Sequence, residues 1–158
     1  MKTGILTVLS LCLLGSVTYF VWPKTDICQA FLKNDGLNLP YLGKPECLVV
    51  MNSQKLIQVK YSVPAENLIE AHAYLQTEYG LGDLRFVCCG YETRKGNGQG
   101  HAKYPITEPE IFDHLLGPGA ILGGTINMFV PAEGADESAS PSLLGTLDGV
   151  ITIDAYGV

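Results

Sequence analysis

Beyond Lys103 the chain contains no lysine or arginine, although Glu108, Glu110, Asp113, Glu133, Asp136, Glu137, Asp148 and Asp154 all follow it. Sixteen acids stand against ten bases overall, a formal charge of −6. Such a surface repels phosphate backbones and anionic lipid, so no nucleic-acid partner is expected. A basic exported protein suits the charge better, with Glu133, Asp136 and Glu137 as the contact residues. The bland alternative is an acidic face that only keeps the protein soluble.

The local spacings that mark most chemistry are also missing. Cys12, Cys28, Cys47, Cys88 and Cys89 form no Cys-x-x-Cys pair, the usual spacing of soft-metal and thioredoxin-type sites. His72, His101 and His114 make no i,i+4 pair. His101, Asp113 and His114 are the nearest approach to a ligand set, without tight spacing, and His72 between Leu68 and Leu75 reads as a packing residue. Ser138, Ser140 and Ser142 lie outside any Gly-x-Ser-x-Gly turn. The loop with Gly96, Gly98 and Gly100 lacks the Lys-Ser/Thr ending of a phosphate loop. Glu92 and Glu108 qualify as a glycosidase pair only if folding brings them within roughly 5 to 9.5 Å. No catalytic residue, metal ligand or cofactor is therefore assigned.

What is present starts with Met1-Lys2-Thr3 and an uncharged, largely apolar stretch over 4–22. At about 1.5 Å per residue this nearly crosses a bilayer core of roughly 30 Å. Residues 1–22 read as a signal peptide or an N-terminal membrane anchor, with Cys12 an apolar member of the segment. Gly15, Ser16 and Thr18 make a poor cleavage site, and Tyr19 and Trp22 sit where an interfacial belt would place them. Left uncleaved, 4–22 tethers the protein to the inner membrane. Either way the rest is expected in the periplasm or another extracytoplasmic space.

Residues 24–158 then form a single exported α+β domain, large enough to bury about two thirds of its unfolded surface. Asp26 is placed to cap a short helix through Phe31 and Leu32, which Asn34-Asp35-Gly36 ends. Residues 47–51 and 56–63 read as a hairpin, the second strand alternating Ile57, Val59, Tyr61 and Val63 with Gln58, Lys60 and Ser62. Pro64 opens the main amphipathic helix, with Leu68, His72, Leu75 and Tyr79 on one face and Gly80 at its end. Residues 84–87 read as a strand running into Cys88-Cys89-Gly90-Tyr91-Glu92, and 125–130 and 149–155 as late strands. A short helix over 108–116 precedes these late strands. The expected fold is a mostly antiparallel sheet with one main helix packed on one face.

Outside the cytoplasm Cys28, Cys47, Cys88 and Cys89 are expected to be oxidised, and four cysteines allow three connectivities. Neighbours on a strand point to opposite faces, so a Cys88–Cys89 bridge is disfavoured. The expectation is that each of these two pairs with one of Cys28 and Cys47.

The run Cys28-Gln-Ala-Phe-Leu, then Cys47, then Tyr61-Ser-Val-Pro, then Leu84-Arg-Phe-Val-Cys-Cys-Gly-Tyr-Glu92 resembles a family of small exported bacterial proteins of unknown function. The likeness covers 26–92 and continues loosely through Ile126-Asn-Met128 and Val150-Ile-Thr-Ile-Asp154. It implies a fold and a compartment, and no catalytic residue. The resulting expectation is a non-catalytic periplasmic protein-binding module of inhibitor or immunity type. Two alternatives stand beside it: a small periplasmic hydrolase or metal-dependent enzyme using Glu92, His101, Asp113 or His114, and a membrane-tethered envelope subunit.

Overall fold

In Ile57–Val63 every second side chain is apolar, which on a pleated strand puts all of them on one side. The computed structural model, which describes residues 24–50, 55–94, 100–132 and 141–157, builds a whole sheet on that pattern. The strands are β1 (Glu46–Val49), β2 (Ile57–Val63), β3 (Asp83–Val87), β4 (Gly90–Arg94), β5 (Ala102–Lys103), β6 (Leu122–Pro131) and β7 (Gly149–Gly157). Their order is β1-β2-β7-β6-β4-β3, with β5 on the same edge of β6 as β4, and every pairing is antiparallel.

Register aligns the apolar positions. Val59 faces Ile153, which faces Ile126; Tyr61 faces Ile151, which faces Met128. All six are buried. A one-residue slip of β7 would turn Thr152 and Asp154 into the core, which is what makes this register specific.

The helices cover that apolar side. α1 (Lys24–Asp35) brings Ile27 and Phe31, and α2 (Leu68–Tyr79) brings Leu68, Ala71 and Leu75, all nearly solvent-free. Each of the Ile, Leu and Phe side chains contributes about 1.5 to 3 kcal/mol on burial. A 3-10 turn, Pro109–Phe112, and α3 (Asp113–Leu116) close the gap beside α1, where Phe112 meets Phe31 edge to face at 6.3 Å. A further 3-10 turn, Pro141–Thr146, adds Leu144. Gly80 ends α2 in the left-handed region, φ 65°, with its N–H on the Gln76 and Leu75 carbonyls. Gly149 lets α2 come close: a Cβ there would lie 2.4 Å from Leu68 Cδ1.

The fold is thus the expected α+β sheet with the Pro64 helix on one face, and α1 matches α2 in length at 12 residues. Two expectations are corrected. The strand expected over 84–87 is present as β3, but it does not run on through 88–92: Cys88 and Cys89 form a two-residue hairpin turn between β3 and β4, with Val87 facing Gly90. The disulfide joins Cys28 to Cys47, Cα atoms 5.9 Å apart, and Cys88 and Cys89 take no part in it. Topology explains this. Cys47 lies opposite Val59 on the covered side, facing α1. β1 and β3 are opposite edges of the sheet, five strand spacings or about 24 Å apart, far beyond the reach of a disulfide.

Among the described residues no helix is long and apolar enough to cross a membrane; the stretch 4–22 lies outside them.

A candidate protein-binding surface

With the helices on one side, the second face of the sheet is built from the out-of-phase residues. Register lays them in rows: Ser62, Val150, Phe129, Glu92 and Arg85; then Lys60, Thr152 and Asn127; then Gln58, Asp154, Thr125 and Lys103. None of the described helices covers these rows. Two glycines tie down aromatics there. A Cβ on Gly123 would overlap the Tyr156 ring at 2.4 Å, and one on Gly90 the Phe129 ring at 2.7 Å.

Charge divides between the two sides. The helical side exposes Glu66, Glu70, Glu78, Glu108 and Glu110, with Asp113 and Asp148 half-buried or exposed at its rim, against Lys33 as the one base among its described side chains. The open face carries Lys44, Lys55, Lys60, Arg85, Arg94 and Lys103 against Glu46, Glu92 and Asp154, with Asp83 at its rim held by Gln76. Among the described side chains of this net-negative chain, the open sheet face is mildly cationic and the acids outnumber the bases on the helical side.

Part of the open-face charge is internally neutralised. Lys55 Nζ and Gln58 Nε2 donate to the two oxygens of Asp154 at 2.7 and 2.9 Å, and Arg94 Nε donates to Glu92 at 3.1 Å. At the β1 end a recess of about 150 Å³ opens between Lys44, Glu46, Lys60, Tyr61, Ser62 and Val150. Beside it Gly43 donates its N–H to the Ser62 carbonyl at 3.0 Å. A side chain at this position would collide with Ser62 Oγ, 1.9 Å from an added Cβ.

The acid and histidine candidates do not gather. Glu92 is on the open face, opposite Phe129. Glu108 is on the helical side, accepting from Asn34 Nδ2 of α1 at 2.5 Å. The sheet stands between them, so they form no glycosidase pair. His101 is exposed just ahead of β5, while Asp113 begins α3 behind the sheet. Among the described residues no three His, Cys, Asp or Glu side chains come close enough to hold a metal. His72 is half-buried, its Nε2 2.9 Å from the Gly82 carbonyl, in keeping with a packing role. Glu133, Asp136 and Glu137, the expected contact residues, lie outside the described residues. Cys88 and Cys89 are exposed, and Cys88 holds φ at +58°, where glycine is preferred as the first residue of such a turn.

Sequence reading did not anticipate the polar seam between α1 and the sheet. Asp35, buried at the end of α1, accepts from the Thr107 N–H at 2.8 Å and hydroxyl at 2.5 Å. Tyr104 donates its hydroxyl to the Asp35 carbonyl, and Leu37 N–H donates to the Tyr61 hydroxyl at 3.0 Å. Asp35 Oδ2 has no hydrogen-bond partner among the described residues. Tyr104 stacks on Tyr79 at 5.1 Å. Burial above all, with the neighbouring Tyr74, pushes the Tyr79 hydroxyl up to about 12, and burial raises Tyr104 and Tyr61 as well. These hydroxyls stay protonated and act as fixed hydrogen-bonding posts that clamp α1 and the 104–108 segment together.

Neither family models, curated proteins nor solved structures match this chain. The surface must therefore be read from its own chemistry.

Proposed function

We propose that the protein is a non-catalytic, extracytoplasmic protein-binding module of inhibitor or immunity type, whose helical side engages a basic exported protein. The observation that carries this reading is the segregation of charge: Glu66 just ahead of α2, Glu70 and Glu78 on α2, and Glu108 and Glu110 at the turn before α3 lie on a side where Lys33 is the one base among the described side chains. A surface of one sign steers a partner of the other and speeds encounter. It rests on a rigid layer, since α1 is tied to β1 by the Cys28–Cys47 bridge and α2 is seated on the sheet through Leu68, Ala71 and Leu75. The bridge itself fits an oxidising compartment.

The test is cross-linked capture on the full chain in its native host, comparing wild type with the triple variant Glu70→Gln, Glu78→Gln, Glu110→Gln. A captured basic exported protein, released as salt rises and lost in the variant, is the expected result. Capture that is unchanged by both salt and the variant overturns the reading.

A further inference from the structure

The recess on the open face lies across the sheet from the acidic helical surface and carries a surplus of cations. We propose that it holds a carboxylate of an extended, acidic polypeptide segment that lies along the β1 edge of the sheet.

The argument starts from which open-face ions are already satisfied. Asp154 is neutralised by Lys55, and Glu92 by Arg94. Lys44 and Lys60, at the recess, make no ion pair within 4.0 Å among the described residues, and neither does Glu46, which stands opposite Lys60 across the β1–β2 ladder. Two ammonium groups face one carboxylate, leaving a local surplus of positive charge. The Ser62 side chain is on an exposed residue at the same wall and supplies a hydroxyl donor.

The recess, of about 150 Å³, has room for a carboxylate on one or two methylenes. An Asp or Glu side chain fits this description.

Why the segment should be extended follows from the adjoining edge. β1 is the last strand of the sheet on this side, so one edge of its backbone pairs with no described strand. An unpaired edge accepts an added strand through main-chain hydrogen bonds. Leu48, two residues beyond Glu46 on the same open face, is 54% exposed, and Val50 beyond it is 39% exposed. On an added strand, side chains two residues apart share a face and stand roughly 7 Å apart, matching the spacing from the recess to Leu48 along β1. The ligand is therefore an acidic residue followed or preceded, one residue removed, by an apolar one.

The test titrates acetyl-Thr-Leu-Thr-Glu-Thr-amide into the isotopically labelled full chain in mild detergent micelles, following backbone amide shifts. Shifts are expected at 43–49, at 60–62 and at Val150. Replacing the peptide's Glu by Gln, or making the double variant Lys44→Gln, Lys60→Gln, should weaken binding about tenfold, the size of one lost charge-assisted hydrogen bond. Lys33→Gln, on the helical side, should leave affinity unchanged, and the same spectra report that each variant is folded. Equal binding by the Gln peptide, or unchanged affinity in the double variant, overturns the proposal. So do shifts confined to other parts of the sheet. Broadening of the 43–49 amides with protein concentration and no peptide would assign the edge to a second copy of this chain instead. Because the helical acids are untouched in every arm, the outcome is independent of the basic-partner reading.

Discussion

The two faces of the sheet are made by the same strands, in strict alternation, yet they serve opposite ends. Behind the sheet, Ile57, Val59, Ile126, Ile151 and Ile153 meet Phe31, Leu68 and Leu75 without access to water. In front, Lys60, Asn127, Thr152 and Asp154 stay partly wet and are held by lateral contacts and a few ion pairs. Stability resides in the first set because burial removes apolar area from water. The open face adds little to it, since exposed ion pairs contribute only about 0 to 1 kcal/mol.

This contrast is sharpest in paired substitutions. Phe31→Ala should cost about 3 to 5 kcal/mol in chemical denaturation, whereas Asn127→Thr, on the open face, should fall within about 0.5 kcal/mol of wild type. Comparable losses from both would break the division. Next in size is the bridge holding α1 to the covered side. Across 19 residues, the double change Cys28→Ser, Cys47→Ser should cost about 3 kcal/mol. Peptide mapping without reduction should show 28 linked to 47 and neither linked to 88 or 89.

A smaller loss is expected in alkali, confined again to the covered side. Tyr79 and Tyr104 titrate near 10 when unfolded and higher when folded, so the folded state holds protons that the unfolded state releases. Stability is full below about pH 10 and declines as pH rises toward about 12. Tyr79→Phe should flatten part of that decline in a denaturation series against pH. The smallest effect lies at the hairpin tip, away from both faces. Cys88→Gly should stabilise by about 0.5 to 1 kcal/mol by relieving a left-handed residue, measured as a rise in denaturation midpoint.

The alternation of 57–63 and the Pro64-to-Gly80 helix were readable because each is a periodic pattern with chemically marked ends. The strand around Cys88-Cys89 was misread for the complementary reason. Two-residue hairpin turns are announced by Gly, Asn or Asp, and a Cys-Cys pair carries no such mark, so the chain looked continuous. The pairing expected for Cys88 and Cys89 also fails, because the β3 edge is the opposite edge of the sheet from β1. The recess was illegible as well. Lys60 and Ser62 could be assigned to the wet side of β2, but Lys44 joins them only through the Gly43 contact with Ser62.

Local order along the chain determined which segments become strands and helices, which side of β2 is dry, and the net acidity. Those properties depend on neighbours within a few residues or on a simple sum. Strand order, the Cys28–Cys47 pairing, the separation of Glu92 from Glu108 and the gathering of cations on one face of an acidic protein were decided only by tertiary structure. Each depends on which distant strands lie side by side, and that is set by how the apolar faces close over one another.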